Sequence, residues 1–337
     1  MSVKARQSTL GFFSVSQQRR FRKNILTWYE AHARDLPWRA NHDPYRVWLS
    51  EIMLQQTRVA AVIDHYQEFL RRFPTVEKLA SAREASVLAA WSGLGYYRRA
   101  RMLHAAAKVI VREHAGQFPS TENQLRTLPG IGRYTAAAIA SIAFGEPTAV
   151  VDGNVERVLQ RVAGKRLTGE ELWNHANDLL HKNRPGDFNQ AMMELGAAVC
   201  TPRAPACLTC PVVELCATHG ELAPKEKVTP QKKREIHYAL NLRNGDRQNG
   251  EVFLVQRPGD ASLMPGMWEL PERAAVNGPG KPSFALRHSI TVTDYTVGVW
   301  RNAPASLVSG KWIPAARLGQ VALTGLARKI LRKAEML

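Results

Sequence analysis

Two carboxylates and four cysteines are the residues whose setting in this sequence points to chemistry. Glu51 lies among Val47, Trp48, Met53, Leu54 and Gln55, with apolar neighbours at helical spacing. A carboxyl desolvated on such a face keeps its proton longer and can act as a general acid near neutral pH. The competing reading is a surface glutamate paired with Arg58 or Arg46. Asp152, with Gly153 and Asn154, opens the helical segment VERVLQRV, where an aspartate is on its own terms an N-cap. Cys200, Cys207, Cys210 and Cys216 are spaced C-x6-C-x2-C-x5-C, with Pro202, Pro205 and Pro211 shaping the loop. Four thiolates this close can surround one metal centre. Zinc and a cubane iron–sulfur cluster both accept such a set, and softness does not choose between them. A structural zinc commonly uses two Cys-x-x-Cys pairs, and only one is present here. The clustering argues against disulfides.

The elements that must position these groups centre on Leu128 to Asp152. Leu-Pro-Gly-Ile-Gly makes a short turn, and an alanine-rich apolar helix follows from Tyr134 to about Phe144. Gly130 and Gly132 let backbone N–H groups point outward at a helix start, where the dipole favours an anion, so the turn can cradle phosphate without reading sequence. An ordinary glycine turn is the alternative. A second loop, Trp91 to Arg99, sets glycines beside Tyr96-Tyr97 and Arg98-Arg99. That suits a loop inserting a ring between bases while cations hold phosphates, or else a tyrosine turn packed on the core.

Composition bounds the partners. A chain of 337 residues is long enough for two domains, and 46 Lys+Arg against 29 Asp+Glu give a net charge of +17. Such a field favours a polyanion, although a ribosomal or membrane-surface protein would share it. No apolar run approaches the roughly 18 residues of a membrane span, and no signal peptide is visible. The expectation is a cytoplasmic, nucleoid-associated monomer, assuming a bacterial source.

In order, residues 1–20 read as a flexible basic arm. Helical patterns follow from Phe21, over 45–72, and at about 76–90, 97–115, 121–128, 134–145, 154–163, 169–183 and 187–200, so 21–217 reads as all-helical. Residues 218–236 are polar, basic and contain two prolines, marking a linker. Beyond it, 237–242, 252–257, 291–300 and 308–312 read as strands and Leu326–Ala334 as a terminal helix, an α+β pattern over 237–337.

Taken together, the cysteine loop, LPGIGRYTA and VDGNVERVL resemble the helix-hairpin-helix DNA glycosylases that carry a [4Fe–4S] cluster. LPWR (36–39), SEIMLQQT (50–57), GLGYY (93–97) and VDGNV (151–155) resemble the MutY-type adenine DNA glycosylases, which act on adenine opposite 8-oxoguanine. The resemblance covers about 21–220 and implies iron and sulfide rather than zinc at the cysteines. It implies Glu51 as general acid at adenine N7 and Asp152 as stabiliser of the oxocarbenium-like sugar, with Tyr134 and Asn154 fixing Asp152 and the sugar. Arg39, Trp38 and Gln190 would form the adenine pocket, Gln56 and Tyr96 would fill the stack near the lesion, and Gly130, Gly132 and Arg133 would hold the DNA backbone. Lyases related to endonuclease III carry a lysine after the position of Arg133 for a Schiff base. Here it is Tyr134, which cannot form one, so a monofunctional enzyme is expected, acting on duplexes with A:8-oxoguanine or A:G mispairs. An endonuclease III-like lyase and a non-catalytic iron–sulfur DNA-binding protein are the alternatives.

VFLVQRP followed by GMWELPE resembles the Nudix fold found at the C-terminus of such glycosylases, without the acidic Mg²⁺-binding helix. The implied role is lesion recognition, for which the loop 287–292 offers Ser289 and Thr291 but a valine where the family presents histidine. Gln7, Leu10, Phe12 and Phe13 resemble peptides that dock on DNA sliding clamps, which implies a clamp contact through Gln7–Phe13.

Overall fold

The computed structural model describes residues 13–223, 232–245, 249–261, 263–273, 281–290, 293–303 and 309–337. Helix α1 (Val15–His32) begins earlier than its apolar periodicity suggests, because Ser14 and Gln17 form a reciprocal capping box at its start. The clamp-like segment lies outside the described residues, apart from Phe13. Helix α2 (Pro44–Leu54) starts on Asp43, whose side chain accepts from the Arg46 amide. The stretch expected as one helix over 45–72 is two, α2 and α3 (Val59–Arg72), because Gln56 takes a left-handed φ of 54° between them. Helices α4 (Val76–Ala80) and α5 (Glu84–Ala90) likewise divide the expected 76–90. Then come α6 (Arg98–His114), α7 (Glu122–Leu125), α8 (Arg133–Phe144), α9 (Gly153–Ala163), α10 (Gly169–Leu179) and α11 (Pro185–Ala198).

By contact the chain divides into two compact units, Met1–Gln56 with Val109–Lys225 and Thr57–Lys108 with Glu226–Leu337. The partition does not follow linear boundaries: α3, α4 and α5 group with the C-terminal sheets. In the first unit α8 is buried over Thr135–Ile142, as befits a helix apolar all round, and packs against α2, α7 and α11. A second core joins α1, α9, α10 and α11 through Phe21, Ile25, Val158, Leu159, Leu172, Phe188 and Leu195. Here α11 approaches α9 so closely that a Cβ on Gly196 would lie 2.6 Å from the Asn154 Cβ and 2.9 Å from the Asn154 carbonyl oxygen.

In the second unit, β1 (Lys232–Leu240) starts inside the stretch read as linker. It is followed by β2 (Leu242–Arg243), β3 (Glu251–Gln256), β4 (Trp268–Glu269), β5 (Glu272–Arg273), β6 (Phe284–Ile290), β7 (Thr293–Arg301), β8 (Gly310–Pro314) and α12 (Gly325–Lys333). One sheet runs β5-β1-β7-β6, with β1 and β7 parallel; in the other, β3 pairs with β2, β4 and β8, all antiparallel. Tyr238, Leu240, Val252, Val297 and Val299 pack with Leu326, Ile330 and Leu331 of α12. Lys329 and Lys333 of α12 donate to the carbonyls of Arg287 and Ala285 (2.6 and 2.8 Å), closing the open edge of β6. The expected fold class, all-helical followed by α+β, is what the structure has.

The Gly196 approach leaves no room for a methyl group. Gly196→Ala should lower unfolding stability by roughly 1–3 kcal/mol through overpacking. Chemical denaturation that shows no loss would contradict the close packing of α11 on α9.

Candidate active site

The site is assembled from the starts of α8 and α9 and the buried face of α2. Gly130 adopts a left-handed φ of 74°, which turns the chain so that Gly132 can open α8 without any side-chain cap. Tyr134 therefore falls in the first turn of α8, and its hydroxyl donates to Glu51 Oε2 at 2.5 Å. Glu51 is only 6% exposed, so the reading of a surface glutamate paired with Arg46 or Arg58 does not hold. Burial pushes its carboxyl up to about 7; the Tyr134 bond and the charge of Arg39 pull downward, and nearby Asp152 pushes upward. Burial likewise carries the Tyr134 hydroxyl far above its ordinary value, so it stays a neutral donor.

Asp152 caps α9. Its Oδ1 accepts from the amides of Asn154 (2.9 Å) and Val155 (2.7 Å), and its Oδ2 from the Asn154 side-chain amide (2.9 Å). Burial raises its carboxyl above the usual range while those three donors favour the charged form. The expected support from Asn154 is present. That from Tyr134 is not: its hydroxyl serves Glu51, because α8 points the ring at α2.

Several residues that hold this arrangement carried no sequence signal. Arg157, one turn along α9, reaches Asn154 Oδ1 (2.8 Å), the Gly196 carbonyl (2.6 Å) and the Cys200 carbonyl (2.8 Å). Asn189, 2% exposed, donates to Ser141 Oγ and the Thr148 carbonyl and accepts from the Val150 amide, fastening the segment that leads to Asp152. Its neighbour Gln190 is half-buried. Trp38 is buried in the 3₁₀ turn Pro37–Arg39. Arg39 bonds Glu194 Oε2 at 2.8 Å, and Arg34 grips the same carboxylate at 2.5 and 2.8 Å. Burial pushes Glu194 upward, but the two guanidiniums more than offset it and leave the carboxyl below its ordinary value. Only a long-range partner in tertiary structure marks Glu194; in sequence it is one polar residue of an apolar helix.

Of the expected DNA contacts, Arg133 pairs with Glu170 at 2.5 Å and lies 4.0 Å over the Trp173 ring. Gln56 is exposed, and Tyr96 is 51% exposed with a left-handed φ of 47°. Tyr97 is the tyrosine that packs on the core, 2% exposed. Ser289 is exposed and donates to Asp294 (2.5 Å), whereas Thr291 lies outside the described residues. Cys200, Cys207, Cys210 and Cys216 are half-buried free thiols lining one small cavity of about 20 Å³ with Arg161 and His219. Arg161 Nη1 lies 3.3 Å from Cys200 Sγ, and burial pushes the Cys210 thiol up to about 11. Among the described residues, no three His, Cys, Asp or Glu groups surround a single-ion position. No helix of the described residues is long and apolar enough to cross a membrane.

A protonatable carboxyl beside a second, hydrogen-bonded one is the pairing that lets one group deliver a proton while the other faces positive charge. Residues 49–180 match the model of the HhH-GPD superfamily base excision DNA repair protein, which sets the class. A thermostable thymine-DNA glycosylase of known structure is 31% identical, with a TM-score of 0.57, covering 60% of this chain and 97% of its own. The mouse adenine DNA glycosylase is 51% identical over 80% of this chain and 54% of its own length. That of Schizosaccharomyces pombe is 38% identical over 75% and 69%. The chain belongs to the adenine DNA glycosylase family, and it spans about half the length of the mammalian relatives it matches.

The Glu51–Tyr134 bond favours the carboxylate, so removing it must raise the Glu51 pKa further. Carboxyl NMR titration should show one glutamate titrating near pH 7 that disappears in Glu51→Gln and moves to higher pH in Tyr134→Phe. A downward move would contradict the assigned donor. Because the raised pKa makes Glu51 favourable to folding only while protonated, Glu51→Gln should gain stability relative to the parent as pH rises from about 5 to 8.

Proposed function

We propose that this chain is a monofunctional DNA glycosylase that flips out and hydrolytically removes adenine mispaired with 8-oxoguanine or guanine. The observation that carries the reading is Glu51, buried against a neutral phenol so that it still holds a proton near neutrality, beside the capped Asp152. Adenine is a poor leaving group. Glu51 protonates its N7, the glycosidic bond breaks, and Asp152 stabilises the positive charge left on the sugar electrostatically or by covalent trapping. Water then attacks with Glu51 as base. The base must leave the helix because its N7 and glycosidic bond cannot otherwise meet both carboxylates.

Trp38, Arg39 and Gln190 line the adenine pocket in this reading, with Arg39 steered by Glu194. Gln56 and Tyr96 enter the stack near the lesion, and the turn bearing Gly130, Gly132 and Arg133 takes the backbone phosphates. The Nudix-like C-terminal region, 237–337, recognises 8-oxoguanine, with Ser289 and Thr291 as its candidate contacts. The four cysteines hold a [4Fe–4S] cluster: they line one cavity without converging on a single point, as the roughly 2.3 Å bonds of one tetrahedral zinc would require. When bound, that cluster would cross-tie the 200–216 loop. The chain would work as a cytoplasmic monomer, with a clamp contact through Gln7–Phe13.

Lyase chemistry is disfavoured by Tyr134, and a purely structural role by the burial of Glu51. One assay separates the three readings. The chain is incubated with a duplex containing adenine opposite 8-oxoguanine, and the sample is divided before alkali. Strand breaks are expected only after alkali, and Glu51→Gln and Asp152→Asn should each abolish them while duplex binding persists. Breaks without alkali support the lyase; no abasic site supports a binding protein. Metal analysis should find four irons per chain with a visible absorbance band, whereas a colourless protein with one zinc would overturn the cluster assignment.

A further inference from the structure

Tyr96 and Tyr97 are adjacent in sequence and opposite in setting. Tyr96 is half exposed in a left-handed backbone conformation, which a non-glycine residue keeps only where its surroundings hold it. Part of that restraint is internal to the loop. Arg99 Nη2 donates to the carbonyls of Leu94 (2.9 Å) and Gly95 (3.2 Å), its guanidinium lies 5.6 Å from the Tyr96 ring centre, and Trp91 Nε1 donates to Gly95 (3.2 Å).

The rest comes from far along the chain. The Tyr97 hydroxyl donates to the Leu323 carbonyl at 2.8 Å, and Ser92 Oγ reaches the same oxygen at 3.4 Å. Arg101, just after the loop, donates to the Pro265 carbonyl at 2.5 Å. The accepting segment is itself fixed. Leu323 is fully buried and bridges in parallel with Trp268, whose amide donates to Ala322 (2.8 Å) and whose carbonyl accepts from Thr324 (2.9 Å). Thr324 in turn caps α12.

We propose that Tyr97 is a positioning residue for Tyr96: its hydroxyl fastens the 92–97 loop to Leu323, so that the C-terminal sheet region sets where the exposed ring is presented to DNA. The DNA half of this statement rests on the glycosylase reading; the loop restraint does not. The C-terminal region then has a second task besides touching a lesion, because it braces a loop of the helical part of the chain.

Tyr97→Phe keeps the ring and its packing and removes only the hydroxyl. In the full-length protein, hydrogen exchange at the amides of 93–96 should quicken by about tenfold, the order expected for one lost buried hydrogen bond. Affinity for the mispaired duplex should fall by a similar factor, while single-turnover base release at saturating protein stays unchanged. Ser92→Ala, which removes the longer bond, should show the same pattern more weakly and serves if Tyr97→Phe does not fold. Unchanged exchange in a folded Tyr97→Phe overturns the restraint. Faster exchange with unchanged duplex affinity overturns the positioning role. Parent protein that binds no mispaired duplex removes the glycosylase reading, and the exchange result alone then decides the contact to Leu323.

Discussion

The hydrogen bond from the Tyr134 hydroxyl to Glu51 sets the terms for the surrounding structure. A carboxyl withdrawn from water must be given a cation or keep its proton. Glu51 is given a phenol. Arg39, whose charge lowers the Glu51 pKa, is already bonded to Glu194, which Arg34 also grips. Two buried glutamates are thus driven in opposite directions: Glu194 is held charged by two arginines, and Glu51 is left titrating near neutrality. For Glu51 burial is the dominant influence, and the charge of Arg39 a lesser one in the opposite direction.

Asp152 meets the opposite requirement. Burial opposes its charged form, and the first turn of α9 offsets this in part with two backbone amides and the Asn154 side chain. The frame behind it is tight. Arg157 links Asn154 to the Gly196 carbonyl and to Cys200, and Gly196 allows α11 to touch α9 with no intervening side chain. Asn189 fixes the approach from the other side. Asp152 is therefore positioned by α11 and by the cysteine loop together, and an N-cap that would be ordinary elsewhere becomes part of a rigid site.

The Thr57–Lys108 and C-terminal unit has a different organising rule. Its strands close over α12, whose lysines cover the edge of β6, and its loops are held by side chains directed at backbone carbonyls. Such bonds fix backbone position while leaving the side chain of Tyr96 half exposed. They also explain why contact groups α3 to α5 with strands more than a hundred residues away.

Much of this was legible in the chain itself. The helix starts at Gly132 and Asp152, the apolar α8, the cysteine spacing and the carboxylate set in an apolar stretch all follow from local rules about caps, periodicity and ligand type. Local rules also limit what can be read. They run α2 into α3, because the break lies in the backbone angles of Gln55 and Gln56, and they hide β6, whose pairing with β7 supplies its stability. The sequence by itself determined which residue types were available: an acid on a buried face, an aspartate at a helix start, a tyrosine where a lyase needs an amine. Tertiary structure alone decided their partners, giving Tyr134 to Glu51 instead of Asp152, Arg39 to Glu194, Arg157 to the cysteine loop and Tyr97 to Leu323. The reason is physical: most of these contacts join residues far apart in the chain, and long-range proximity leaves no periodicity for a sequence to display.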